Sequence, residues 1–250
     1  MKKIILKLLH AIRYILGRII IHLIPRNLPS LREQENITCY KLYEKDEIEK
    51  CYHYFKKYFN TAMHLEGDNL LVYGIKHAIE INASKNNLFL EFGVWNGRTI
   101  NLFSKYINKN RIYGFDTFSG TPEDWKGTDK PKGYYSANNK IPKLNENCIP
   151  IKGLVKDTLP SFLSNNSGKR IRFVHMDLTI YEPTLFVLNS IKPYLANDAI
   201  IIFRGFYNYP SWQEGEFKAL TESFDEKDYK YIAFSKDGSP VIIKYIRPNS

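Results

Sequence analysis

The chain has 250 residues, 44% apolar and 25% charged, enough for one complete hydrophobic core and too few for two ordinary domains with linkers. Its formal net charge of +10 is unevenly spread: Lys2, Lys3, Lys7, Arg13, Arg18 and Arg26 place +6 in residues 1–26, which hold no acid, leaving +4 (10 − 6) for the rest. With no arginine/aromatic or helix-turn-helix pattern elsewhere, no nucleic-acid partner is expected, and three widely spaced cysteines, Cys39, Cys51 and Cys148, suggest neither a disulfide framework nor a zinc site.

Residues 4–24 are rich in Ile and Leu, but Lys7, His10, Arg13, Arg18 and His22 interrupt them. No uninterrupted run of about 20 apolar residues remains to span a bilayer. Polar positions 3, 7, 10, 14, 17/18 and 22 recur at helical spacing, which predicts a basic amphipathic helix over residues 1–26, ending at Pro25. Such a helix suits the anionic headgroups of a membrane surface, here the cytoplasmic face, since cysteine usage fits a reducing compartment. Packing on the domain, or on a second copy in a homo-oligomer, is the alternative the pattern leaves open.

Residues 27–86 read as a helical extension, with apolar faces at Ile48, Tyr52, Phe55 and Phe59, then at Leu70, Leu71, Ile75, Ala78 and Ile79. Residues 87–250 alternate strand and helix. Strands are predicted at Asn87–Val94, Arg111–Asp116, Cys148–Lys152, Ile171–Asp177 and Ala199–Phe203. Helices are predicted at Arg98–Ile107, Asp157–Ser164, Thr184–Tyr194 and Glu214–Phe224, and a closing antiparallel pair at Tyr229–Phe234 and Val241–Ile246. Repeated β-α units imply an α/β fold, a Rossmann-like doubly wound parallel sheet covered on both faces. A loop from Thr117 to Pro142, rich in Gly and Pro, is placed to close over a ligand.

Gly93 and Gly97 stand at a strand-to-helix junction in a Glu-x-Gly-x-x-x-Gly arrangement beginning at Glu91, where absent side chains let backbone N–H groups approach a ligand. Asp116 follows Gly97 by 19 residues (116 − 97) at the next strand end, close to the spacing that sets a carboxylate on a ribose diol. The nicotinamide pattern Gly-x-Gly-x-x-Gly is absent, which disfavours a dehydrogenase.

Several separated stretches carry a resemblance in order: Glu91-Phe92-Gly93-Val94-Trp95-Asn96-Gly97-Arg98-Thr99, Tyr113 to Trp125, Lys152-Gly153 with Thr158-Leu159-Pro160, Tyr181-Glu182-Pro183-Thr184, and Phe206 to Glu216. Together they resemble the class I S-adenosylmethionine-dependent methyltransferases of the macrocin O-methyltransferase-like sugar group, over roughly residues 87 to 246. The resemblance implies a seven-stranded sheet with S-adenosylmethionine as cofactor. Glu91, Gly93 and Gly97 would shape the methionine end, Asp116 would hold the ribose, and Gly153 and Asp157 would sit by the adenine. It also implies a sugar hydroxyl of a small molecule or glycan as acceptor, with a place in surface-polysaccharide assembly.

One part of the family pattern is missing. Such enzymes carry Asp-x-Asp at the fourth strand end and a carboxylate pair after the fifth, and these hold Mg²⁺. Here the stretches read Asp177-Leu178-Thr179 and Phe203-Arg204-Gly205, so a lone carboxylate faces an arginine and Mg²⁺ is not expected. Three readings stay open: a pseudo-methyltransferase that binds without turnover, a metal-independent enzyme, or a metal site using other ligands. In the second, Asp177 or His175 is the general base and Arg204 stabilises the acceptor alkoxide, binds an acidic group or pairs with Asp177. Tyr207, Tyr209 and Trp212 are candidates for a sugar pocket or for plain packing.

Overall fold

A computed structural model of the chain describes residues 7, 12, 14, 37–80, 87–107 and 110–247. Two compact units divide between Leu42 and Tyr43. In the first, Lys7, Ile12 and Tyr14 are helical and exposed; the remainder of the basic helix expected over residues 1–26 lies outside the described residues. Among the described residues no helix is long and apolar enough to cross a membrane.

Helix α1 (Cys39–Phe59) buries Glu47, Cys51 and Phe55, four residues apart and therefore on one face. Phe55 is fully buried and its ring meets those of Phe206, Tyr207, Trp212, Phe217, Tyr231 and Phe234. Strand β1 (Met63–Leu65) and helix α2 (Asp68–Glu80) complete the segment before the first long strand. The periodicity of the helical extension predicts the two helices but not β1. Three residues are too few to show alternation, and β1 is held by its neighbour: Met63, His64 and Leu65 pair in parallel with Ala233, Phe234 and Ser235, and the Lys236 N–H donates to the Leu65 carbonyl at 2.9 Å.

The rest of the chain supplies β2 (Asn87–Phe92), α3 (Arg98–Ser104), β3 (Ile112–Asp116), β4 (Cys148–Lys152), α4 (Val155–Asn165), β5 (Arg170–Met176), α5 (Tyr181–Ile191), β6 (Leu195–Phe203), α6 (Glu216–Ser223), β7 (Tyr229–Ser235) and β8 (Val241–Tyr245). The sheet runs β1-β7-β8-β6-β5-β2-β3-β4. Strands β4, β3, β2, β5 and β6 are parallel, and β8 is antiparallel to both β6 and β7. The sheet therefore has eight strands where seven are expected, β1 being the addition at the edge.

Strand residues feed two cores in alternation, which explains the near-continuous apolar runs. On β2, Leu88, Leu90 and Phe92 enter the core shared with α1, α4, α5 and α6, while Phe89 enters the core beneath α2 and α3. On β6, Ile201 and Phe203 take the first and Ile200 and Ile202 the second. Glu91 and His175 fall on the α2/α3 side, directly opposite each other in the β2–β5 register. The parallel order places the ends of β3, β2, β5 and β6 side by side, where such sheets bind ligands.

Candidate functional site

A cavity of about 520 Å³ opens at these strand ends, within the range of small-molecule sites. One half is walled by Gly93 to Asn96, Arg98, Thr99, Asp116 and Gly153 to Val155; the other by Asp177 to Thr179, Arg204 and the turn from Ser235 to Pro240. Trp125, Lys130 and Tyr135 from the long loop after β3 line it as well.

The glycine turn is built by close approach. Gly93 has φ 90°. A Cβ there would lie far inside van der Waals contact with the Asp177 carbonyl oxygen, because the chain leaving β5 passes directly behind the turn. Gly97, at φ 80°, is the N-cap of α3 and lies outside the cavity lining. Its left-handed geometry favours glycine and aims the start of the helix at the turn.

Asp116 has a second task that its spacing does not reveal. Its Oδ2 accepts the Val94 and Trp95 N–H groups, both at 2.7 Å, and its Oδ1 accepts the Phe118 N–H at 2.6 Å. A carboxylate offers about four lone-pair directions. The side chain therefore staples the glycine turn to the end of β3 while still facing the cavity. Gly153 follows at the end of β4, its N–H donating to the Asp116 carbonyl at 3.0 Å. Asp157, by contrast, is exposed on the first turn of α4 and does not line the cavity; Leu154 and Val155 take that wall.

Glu91 and His175 lie behind the turn, both fully buried and outside the lining. Glu91 Oε1 accepts the Thr99 hydroxyl at 2.6 Å, tying β2 to α3, and Oε2 lies 3.6 Å from His175 Nδ1. The His175 ring packs edge-on against Phe103, and neither of its nitrogens has a hydrogen-bond partner. His175 does not reach the cavity, so its influence on the cavity is electrostatic. It pulls on Asp177, which is half-buried in the wall and whose carboxyl is pushed up to about 6, chiefly by burial, against the opposing pull of His175 and Arg204.

Behind the wall that carries Asp177 lies a residue that sequence reasoning missed. Glu216, the first residue of α6, is completely buried. Its two carboxylate oxygens accept the N–H groups of Thr179 at 3.1 Å and Gly205 at 2.9 Å. Burial, followed by the neighbouring Asp177, pushes its carboxyl up to about 8. The signal was an acid set between Gly215 and the apolar Phe217 at a helix start. Tyr207 and Trp212 are core residues packed on Phe55, and none of Tyr207, Tyr209 and Trp212 lines the cavity. Their aromatic cluster is packing, because the segment after β6 turns inward against α1.

The donor set does not fit Mg²⁺. Thr179, at φ 60°, spends its N–H on Glu216 and its hydroxyl on the Leu178 carbonyl at 2.7 Å. Gly205 offers no side chain, and a Cβ there would lie 3.1 Å from Trp125 Cζ2, a tight contact. Asp177 is left as the one carboxylate among the four positions, and an octahedral cation needs several oxygen ligands. Among the described residues, no group of three His, Cys, Asp or Glu side chains is arranged to hold a metal. Nor do Arg204 and Asp177 form an ion pair: among the described residues the Arg204 guanidinium has no carboxylate within 4.0 Å, and its hydrogen bonds are those of its backbone.

Residues 90–204 match the family model described as a methyltransferase domain. No curated protein sequence matches the chain. Solved structures share its fold. CalS11, a calicheamicin methyltransferase, superposes with a TM-score of 0.58 at 19% identity, over 83% of this chain and 93% of that one. Its apo structure, described as a TDP-rhamnose 3′-O-methyltransferase, gives a TM-score of 0.53 at 23% identity over 70% and 77%. The O-methyltransferase NovP gives 0.52 at 17% identity over 72% and 79%. At these identities the likeness is one of fold, the Rossmann-like methyltransferase sheet.

Proposed function

We propose that this chain, a class I methyltransferase in its fold and across residues 90–204, binds S-adenosylmethionine and transfers a methyl group to a sugar hydroxyl without a metal ion. The observation that carries this reading is one cavity with two chemically distinct halves, a glycine turn stapled to Asp116 on one side and Asp177 with Arg204 on the other.

The cofactor half fits an adenosine-bearing ligand. Gly93 keeps the turn free of side chains, Asp116 keeps one lone-pair direction for a ribose hydroxyl, and Gly153 with Leu154 and Val155 leaves an apolar slot for a base. Arg98, lining the methionine end, is held by Asp68 at 2.7 Å. S-adenosylmethionine supplies a methyl carbon bound to a positively charged sulfur.

Asp177 is the base. Asp177 takes the acceptor hydroxyl proton, while a bound S-adenosylmethionine would give its methyl group to the hydroxyl oxygen and leave as the neutral thioether S-adenosylhomocysteine. A carboxyl held near 6 is mostly ionised at neutral pH and still basic enough to take part. Positioning supplies most of the acceleration of an in-line displacement. The missing carboxylates favour a second reading, a binding module of the same ancestry that does not turn over.

Calorimetry of the full-length protein with S-adenosylmethionine and S-adenosylhomocysteine, with and without Mg²⁺, tests the first step. Micromolar binding indifferent to Mg²⁺ is expected; no binding in either condition removes the reading. Methyl release on an acceptor panel then separates enzyme from binding module.

A further inference from the structure

The cavity lining holds three cations, and two already have partners. Arg98 pairs with Asp68 at 2.7 Å, outside the cavity lining. Lys130 lies 3.4 Å from Asp129, with its ammonium near the rings of Trp125 and Tyr134. Arg204 differs: among the described residues its guanidinium has no ion pair or side-chain hydrogen bond, although five N–H donors in a planar fork project from it. The carboxylates around it are occupied elsewhere or held apart. Glu216 is bound to two backbone N–H groups, Asp237 accepts the Ser235 hydroxyl at 2.7 Å and the Gly67 N–H at 3.3 Å, and Asp177 stays beyond 4.0 Å.

Position decides which ligand this charge meets. Arg204 follows β6, on the far side of β5 from the glycine turn of β2, so it faces the acceptor half. Its backbone is fixed, the N–H donating to the Met176 carbonyl at 2.9 Å and the carbonyl accepting the Ser239 hydroxyl at 3.0 Å. The fork is thus anchored at its base and, among the described residues, without a protein partner at its tip, on the same wall as Asp177.

We propose that Arg204 determines acceptor specificity: it holds a single carboxylate on the acceptor, as in a uronic acid, while a neighbouring hydroxyl faces Asp177. This rests on the methyltransferase reading of the cavity and names the substrate class for it. A carboxylate matches the planar guanidinium with two parallel hydrogen bonds. With Asp177 and Asp237 flanking the guanidinium, a phosphate dianion would meet more repulsion than a carboxylate monoanion does. A neutral sugar would leave the fork without a partner.

The test uses full-length protein and saturation-transfer NMR with D-glucuronate, D-glucose and glucose 6-phosphate, with and without S-adenosylhomocysteine, on the wild type, Arg204→Gln and Arg204→Lys. The expected result is glucuronate bound at least ten-fold more tightly than glucose. That preference is lost in Arg204→Gln and partly kept in Arg204→Lys, with S-adenosylhomocysteine affinity unchanged in both. Equal or absent binding of glucuronate and glucose to the wild type overturns the proposal, as does full retention of the preference in Arg204→Gln. Preference for glucose 6-phosphate overturns the monoanion assignment, and a matching loss of S-adenosylhomocysteine affinity in Arg204→Gln would make Arg204 a cofactor ligand instead. If the wild type fails to bind S-adenosylhomocysteine, the methyltransferase reading falls, while titrations without it still read the arginine alone. Thermal melts establish that each variant is folded, and Arg204→Lys carries the comparison if Arg204→Gln is not.

Discussion

Glu216 holds Thr179 by a hydrogen bond of 3.1 Å from the threonine N–H, and its other oxygen holds Gly205, so one buried carboxylate clips together the loops that follow β5 and β6. The clip fixes the backbone at which Asp177 and Arg204 enter the cavity.

Replacing Glu216 with Gln removes one acceptor, since an amide nitrogen cannot accept an N–H. A buried donor left unpaired costs about 1–3 kcal/mol. The penalty depends on pH. The folded carboxyl is raised from 4.5 to about 8, so the folded state binds more protons than the unfolded state between those values, and wild-type stability falls as pH rises through that window. Glu216→Gln lacks this slope. Urea melts are expected to show the wild type losing stability relative to Glu216→Gln as pH rises from 5 to 8; a wild type that gains on the variant over that range would contradict the assignment.

Asp177→Asn is expected to leave cofactor affinity within a few-fold of the wild type and to lower methyl transfer by about 10²–10⁴-fold, the usual contribution of a general base. In the wild type, the rate should rise with pH through about 6, as the carboxyl loses its proton, and then level off. Initial rates from pH 5 to 8 check this. A rate indifferent to pH across that range assigns the base elsewhere.

Gly93→Ala should abolish measurable S-adenosylhomocysteine binding and lower the melting temperature. Its φ of 90° lies in a region that costs an L-residue roughly 1–2 kcal/mol, and the new methyl would collide with the Asp177 carbonyl as well. Calorimetry and a thermal melt on the same sample separate the two effects. Retained affinity would show that the turn does not touch the ligand.

Asp116→Asn tests a residue with two tasks. One amide group cannot accept all three backbone N–H groups, so stability should fall by about 1–3 kcal/mol even without ligand. Cofactor affinity should fall further than that loss alone explains. An unchanged melting temperature would argue against the staple.

The segment 1–26 is proposed to bind anionic membrane surfaces. Its six basic residues are worth about 1 kcal/mol each near such a surface, and screening weakens them at high salt. Cosedimentation with phosphatidylserine vesicles should be lost on deletion of residues 1–26. Pelleting that persists after the deletion would rule out the segment as the anchor.

What the sequence made legible was local or periodic. The runs from Asn87 and Ile171 announce buried strands, Gly93 and Gly97 announce a turn, and the interval to Asp116 fits the next strand end. Glu216 stayed hidden because its partners, Thr179 and Gly205, are backbone N–H groups 37 and 11 residues away and carry no side-chain signature. His175 is ambiguous for a different reason: at a strand end, alternation decides whether a side chain faces the cavity or the helices, and here it meets Phe103. The inward turn of Tyr207 and Trp212 depends on α1, far off in sequence, whose Phe55 gathers them.

Trp125 belongs to the loop after β3, yet its ring lies edge-on to Tyr209 at 5.6 Å and covers Gly205 on the acceptor wall. The same loop reaches the cofactor half through Tyr135, whose ring meets Trp95 at 5.2 Å. One span of chain thus touches both ligands' compartments. Where the first ligand bears the entropic cost of ordering this span, the second binds without it, so by thermodynamic reciprocity each should raise the other's affinity by the same factor.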